Sequence, residues 1–194
     1  SNKFPIGIGG EHSMTPAAVR AVQSKYPNLA VVILDAHLDF RQEYEGNENS
    51  HATVTRRLTN IVGLDKVRPV GIRSVSQSEI SEARTIGLKF IESGWTELIE
   101  YLTDIIDELD CPIYLSLDMD AIDPAFAPGV GTPEPFGMTP YEVLQTINFF
   151  SDRIVAFDCV EVSPPYDNGN TSALAARIIR HLIGAIWQSQ ERFK

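Results

Sequence analysis

The chain has 194 residues, 43% of them hydrophobic, and a formal net charge of −10. That length and apolar content support one full core and set aside intrinsic disorder, and no apolar run approaches the ~20 residues a membrane-spanning helix needs. The excess of acid argues against nucleic acid or an anionic membrane as partner and favours a cationic ligand. Cys111 and Cys159 each sit in or beside an apolar strand-like run, which predicts buried reduced thiols rather than a disulfide. The opening "SNKFPIGIGG" has neither the basic lead nor the apolar block of a secretory signal, and a cytoplasmic protein is expected.

In chain order, "FPIGIGG" (4–10) predicts a short strand ending in a Gly-rich turn. "TPAAVRAVQSKY" (15–26) predicts a helix capped by Thr15, with Pro16 at its first position. Strands follow at 29–35, 66–73, 88–93, 112–120 and 153–163, all rich in Val, Ile, Phe and Leu. Helices are expected at 76–85, 95–109, 140–150 and 171–190; the third repeats the Thr-Pro start signal. Alternating strands and helices imply a three-layer α/β/α sandwich around a mainly parallel sheet, with 1–194 forming a single domain. The long irregular segments 41–52 and 120–137 directly follow strands. In parallel α/β sheets ligands bind outside the carboxyl ends of strands, so these segments should frame the site.

The strand ends share one chemistry. His12 follows the first strand, Asp35, His37 and Asp39 follow the second, and Asp118 and Asp120 follow the fifth. In an extended strand, residues two apart share a face and lie roughly 6 to 7 Å apart. Paired catalytic cations sit about 3.5 to 4 Å apart, so neighbouring ligands can each take one ion while a carboxylate bridges both. A fully extended chain would carry Asp39 too far from Asp35, so the backbone should coil just after Asp35. Without cations, carboxylates converging on one cleft would repel or protonate. A predominantly oxygen donor set with two imidazoles suits Mn²⁺ better than a Cys-rich structural zinc site does. Singly, each piece has an ordinary reading: His12 as a turn residue, "DAHLD" as a helix cap, Asp123 before Pro124 as a turn starter. Together, coincidence is the poorer account. His181, inside the last expected helix, reads as structural.

"GGEHS", "DAHLDF", "SLDMDAIDPAFAPGVGTPEP" and "DCVEVSPPYD", in that order and spacing, resemble the ureohydrolases, the arginase and agmatinase family. The "GTPEP" form and the "SHAT" segment look more like the agmatinase branch. The resemblance implies two Mn²⁺ per chain, one held by His12, Asp35, Asp39 and Asp118, the other by Asp35, His37, Asp118 and Asp120. It further implies hydrolysis of a small cationic guanidino substrate, agmatine to putrescine and urea being the leading candidate, by a metal-bridging hydroxide. Glu161 matches the family glutamate that pairs with the guanidinium, and His51 the histidine assigned to proton transfer to the departing amine. A homo-oligomer, trimer or hexamer, is implied as well.

Two residues depart from the commonest family form. Glu11 stands where Asp is usual, and Ala52 where Gly is usual; Ala52 would be harmful only if that position needs positive φ. Family members also carry a segment before the "GGEHS" motif, so an N-terminally truncated ureohydrolase domain lacking early strands, with impaired turnover, is expected. Alternatives left open are arginase or another guanidino-acid ureohydrolase, a single-zinc deacetylase-like amide hydrolase, and a catalytically impaired structural paralogue. His12 and Asp39, as extra ligands for a second ion, count against the single-zinc reading.

Overall fold

The computed structural model describes residues 3–92, 102–104 and 108–191. Its strands are β1 (Ile6–Ile8), β2 (Ala30–Leu34), β3 (Val67–Ile72), β4 (Ile91–Glu92), β5 (Ile113–Asp118) and β6 (Ile154–Val160). The longer helices are α1 (Thr15–Gln23), α2 (Val54–Val62), α3 (Gln77–Ile86), α4 (Pro140–Phe150) and α5 (Asn170–Glu191). The expected helix over 95–109 and the end of the expected strand over 88–93 fall largely outside the described residues.

The strands form one sheet in the order β1-β6-β5-β2-β3-β4, and every pairing is parallel. Strands β2 and β5 are buried along their whole length, as a sheet covered on both faces requires. Alternate residues feed two cores. Ala30, Val32 and Leu34 join Leu115, Ile147 and Phe150 on the face covered by α4 and α5. Val31 and Ile33 join Val19, Leu58 and Ala83 on the face covered by α1, α2 and α3. This is the expected α/β/α sandwich.

From β2 the chain proceeds outward to β3 and β4, then returns to place β5 on the other side of β2. The carboxyl ends of β2 and β5 therefore flank a topological switch point, where open parallel sheets leave a crevice. Within β3, Gly71 adopts φ 95° at a register shift against β4. A Cβ on it would lie 3.1 Å from the Asp35 carbonyl oxygen, so a small residue lets the chain pass close to the end of β2.

Two helix expectations need correction. Thr15 is not the cap of α1: Met14 occupies that position without a side-chain cap, and the Thr15 hydroxyl instead donates to Asp158 Oδ2 at 2.8 Å. Helix α2 was not anticipated. Val54, Leu58, Ile61 and Val62 recur at helical spacing, but Thr and Val are poor intrinsic helix formers, and it is burial against β2 and β3 that selects the helix. By contrast α4 starts as expected, with Thr139 and Glu142 forming a reciprocal capping box.

Candidate metal centre

The register aligns Leu34 of β2 with Leu117 of β5, so Asp35 and Asp118 follow as the next residues at the ends of adjacent strands. After Asp35 the chain leaves extended geometry, and Asp39 adopts φ 50°. This bend brings Asp39 Oδ2 to 3.8 Å from His12 Nδ1, as the coiling argument required. His12 arrives from the turn after β1, in the short 3-10 helix His12–Met14.

Two imidazole nitrogens face the carboxylates. His12 Nδ1 lies 3.3 Å from Asp35 Oδ2 and 3.2 Å from Asp118 Oδ2. His37 Nδ1 lies 2.9 Å from Asp120 Oδ2 and 3.6 Å from Asp35 Oδ1. Asp35 thus faces both histidines. His12 Nδ1 and Asp35 Oδ2 are buried and have no hydrogen-bond partner among the described residues. Such orphaned atoms cost about 1 to 3 kcal/mol each unless something meets them.

The protonation demands conflict. Burial alone would push both imidazoles down, but Asp118 and Asp35 hold His12 well above its usual range, and Asp120 and Asp35 hold His37 at about 11. Burial opposes ionisation of Asp35, yet His12 and His37 bring it down to about 2. Burial and the Asp35 charge raise Asp39; burial and the charges of Asp120 and Asp35 raise Asp118. Some acids are driven toward protonation while their neighbours hold imidazolium protons. The cluster calls for positive charge.

The far side of His12 is fixed by a hydrogen bond, and that of His37 faces a carboxylate. His12 Nε2 lies 3.0 Å from Ser116 Oγ, and that hydroxyl donates to Asp158 Oδ1 at 2.6 Å. A serine hydroxyl has one proton; with it committed to Asp158, Ser116 must accept from His12 Nε2–H, so Nδ1, facing the carboxylates, is the nitrogen left for a cation once its proton is displaced. Asp158, fully buried, also accepts from Tyr114 Oη at 2.6 Å and Thr15 Oγ1 at 2.8 Å. His37 Nε2 faces Glu134 Oε1 at 3.7 Å, and the same oxygen accepts from Ser74 Oγ at 2.8 Å. Carboxylate or hydroxyl support of this kind is what metal-ligating histidines ordinarily have.

The sequence reading did not find this supporting layer. Ser116 and Asp158 interrupt apolar strands, and a polar residue with no solvent to face was the available signal. Arg73 was also missed: its guanidinium donates to the carbonyls of Asp120 at 2.6 Å, Glu134 at 2.7 Å and Pro135 at 3.0 Å, tying segment 120–137 to the end of β3.

A cavity of about 570 Å³ opens beside the cluster, lined among others by His37, Asp39, Asp118, Asp120, His51 and Glu161. Both irregular segments frame it, through Arg41, Tyr44 and His51 from one and Gly131 and Thr132 from the other. Glu161 has φ 66°; its backbone N–H donates to Gly10 O at 2.8 Å and its Oε1 accepts from His12 N–H at 2.7 Å. Burial raises its carboxyl, with backbone hydrogen bonding from His12 opposing. Ala52 sits in the 3-10 helix His51–Thr53 and is absent from the positive-φ positions, so its methyl is accommodated. His181 pairs through Nε2 with Asn148 Oδ1 at 2.8 Å, in the α4–α5 contact. Both cysteines are buried free thiols.

All eight residues singled out in the sequence therefore converge on one strand-end cleft. His12, Asp35 and Asp39 have donor atoms close enough to share one cation, and Asp35, His37 and Asp120 another. Buried inward-facing atoms without hydrogen-bond partners and an oxygen-rich donor set fit divalent cations.

Comparisons with known proteins agree in kind. An agmatinase of Bacillus anthracis is 36% identical over 188 residues, covering 94% of this chain and 64% of its own length. A guanidinobutyrase of Pseudomonas aeruginosa is 34% identical over 190 residues, covering 93% and 60%. The crystal structure of an agmatine ureohydrolase of Thermoplasma volcanium superposes with a TM-score of 0.91 at 42% identity, covering 98% of this chain and 64% of that one. The chain thus spans a little under two thirds of the length of these relatives. Residues 1–184 match the arginase family. With the sheet, the strand-tip cluster and this match in agreement, the chain belongs to the arginase family.

Proposed function

We propose that this chain forms the catalytic part of a metal-dependent amidinohydrolase that cleaves a small cationic guanidino compound, agmatine foremost, to urea and an amine. The observation that carries the reading is one cavity lined by His37, Asp39, Asp118, Asp120 and the separate carboxylate of Glu161, with His12 and Asp35 buried against those acids. In this reading two Mn²⁺ are held, one by His12, Asp35, Asp39 and Asp118, the other by Asp35, His37, Asp118 and Asp120. When bound, the ions supply Lewis acidity that lowers the pKa of coordinated water.

The remaining work falls to the chain. A guanidinium is planar, cationic and a poor electrophile, so it must be held and oriented. Glu161 accepts from its planar N–H fork. Its Oε1 is already tied to His12 N–H, which fixes the carboxylate plane, while Oε2 lies toward Gly131 on the cavity wall. His51 delivers a proton to the departing amine nitrogen as the carbon–nitrogen bond breaks. The acid excess of the chain supports a cationic substrate, and the 36% identity to an agmatinase supports agmatine. A homo-oligomer acting in the polyamine route to putrescine is part of the same reading.

The test is urea release from agmatine, guanidinobutyrate and arginine after Mn²⁺ reconstitution. Highest kcat/KM on agmatine is expected. Preference for arginine would overturn the substrate assignment, and no urea from any of the three would overturn the reaction class.

A further inference from the structure

Glu11 precedes His12 in the chain, but its carboxylate serves a different histidine. Oε1 accepts from the backbone N–H of His51 and faces His51 Nδ1, both at 2.9 Å. Oε2 accepts from the hydroxyl of Ser13, which fixes the carboxylate from the other side. An ionised carboxylate only accepts hydrogen bonds, so Nδ1 must carry the proton and a neutral His51 keeps its lone pair on Nε2. The ring is further confined by Tyr44, whose centroid is 5.5 Å away at 58°. Its backbone is confined by Ser50, which caps the short helix beginning at His51 by accepting from Ala52 N–H at 3.3 Å. Glu11, Tyr44 and His51 all line the same cavity as Glu161.

We propose that Glu11 is a positioning residue that locks His51 in the Nδ1–H tautomer, making Nε2 the atom that exchanges protons in the cavity. The inference rests on the reading of His51 as proton donor to the leaving amine. In that step the Nε2–H bond of an imidazolium breaks, the proton joins the amine nitrogen, and the ring returns to neutral with Nδ1–H still held by Glu11. Glu11 touches no reacting atom. Its contribution is to remove the competing tautomer, which in a free histidine side chain is the commoner one and would present the wrong nitrogen. A histidine–carboxylate pair elsewhere shows how much this can matter: losing the orienting carboxylate there costs orders of magnitude in rate through the wrong tautomer.

The decisive measurement is long-range ¹H–¹⁵N NMR of the imidazoles at alkaline pH, on protein loaded with diamagnetic Mg²⁺. With four histidines in the chain, the His51 signals are assigned by their loss in His51→Gln. Wild type should show Nδ1–H at His51, Glu11→Gln should retain it because the amide oxygen still accepts, and Glu11→Ala should revert to Nε2–H. With Mn²⁺ and the preferred guanidino substrate, Glu11→Ala should lose about 10- to 100-fold in kcat with KM changed less than about threefold, and Glu11→Gln should recover most of that loss. An Nε2–H tautomer in wild type, or an unchanged tautomer in Glu11→Ala, overturns the proposal whatever the activity. An unchanged kcat in Glu11→Ala overturns it too. Absence of urea release by wild type would instead sink the reaction assignment, leaving the tautomer result to decide the role of Glu11.

Discussion

Asp158→Asn should weaken cation binding at His12, which Asp158 reaches only through the hydroxyl of Ser116. Asp158 accepts three hydroxyl protons: Ser116 on Oδ1, and Tyr114 and Thr15 on Oδ2. Asparagine can supply a carbonyl to only one side. Turning its NH₂ toward Tyr114 and Thr15 would orphan two buried O–H donors, a cost of about 2 to 6 kcal/mol. The amide therefore turns its NH₂ toward Ser116, whose hydroxyl must now accept from it and donate onward to His12 Nε2. In the neutral ring that reversal puts the one remaining proton on Nδ1, the nitrogen facing Asp35 and Asp118. Coordination there must undo the reversal, and a loss of about 10- to 100-fold in affinity for one cation is expected, or roughly 1.4 to 2.7 kcal/mol. Calorimetric titration of Mn²⁺ into metal-free protein, with thermal melting as the control for folding, measures it. Alanine is the wrong variant, because orphaning all three hydroxyls would cost about 3 to 9 kcal/mol against a total stability of about 5 to 15. Two equivalents of Mn²⁺ bound to a folded Asp158→Asn protein with wild-type affinity would refute the relay.

Metal uptake should release protons. His37 is held at about 11, and His12 also well above its usual range, so near neutral pH an arriving cation must displace their Nδ1 protons. Mn²⁺ affinity should rise with pH, and the apparent binding enthalpy should vary with the ionisation enthalpy of the buffer; buffer independence would contradict it. In metal-free protein the signs differ by group: the His37 contribution to stability is fully present below the ordinary imidazole range and lost as pH rises through about 11, whereas that of Asp35 is present above the ordinary carboxylate range and lost as pH falls toward about 2. Melting curves across pH should show both flanks. Asp120→Asn should reduce the metal content toward one ion per chain and abolish urea release while the far-UV spectrum stays unchanged; retained turnover would exclude Asp120 as a ligand. Gly137→Ala should destabilise by about 1 to 3 kcal/mol, read as a drop in melting temperature. Its Cβ would meet Arg73 Nη2 at 2.5 Å, Asp123 N at 2.6 Å and Ala121 O at 2.8 Å, and the last two are backbone atoms that cannot step aside.

What could be read in advance follows physical range. Parallel strands buried on both faces announce themselves by continuous apolar runs, so β2, β5 and β6 were legible, and the capping box at Thr139 is local chemistry. Thr15 carries the same Thr-Pro signal as Thr139, yet its hydroxyl goes to Asp158, a partner 143 residues away. No local rule could choose between those fates. Helix α2 was hidden for a related reason, since its β-branched residues favour strand locally and only the core beneath them selects helix.

The same distinction separates the ligands from their supports. Asp35, His37, Asp118 and Asp120 stand out because charge at the end of an apolar strand has no ordinary reason to be there. Ser116 and Asp158 do not stand out, because one buried polar residue in a strand has many possible partners until the register is known. Once β5 and β6 align Ser116 with Asp158, and the turn after β1 delivers His12 to the same face, the three groups can satisfy one another in only one direction. Proton placement at His12 is thus a property of sheet register rather than of any motif. Residues that share the ligand motifs but shift the β5–β6 register by one position would keep every carboxylate in sequence and lose the nitrogen that must face them.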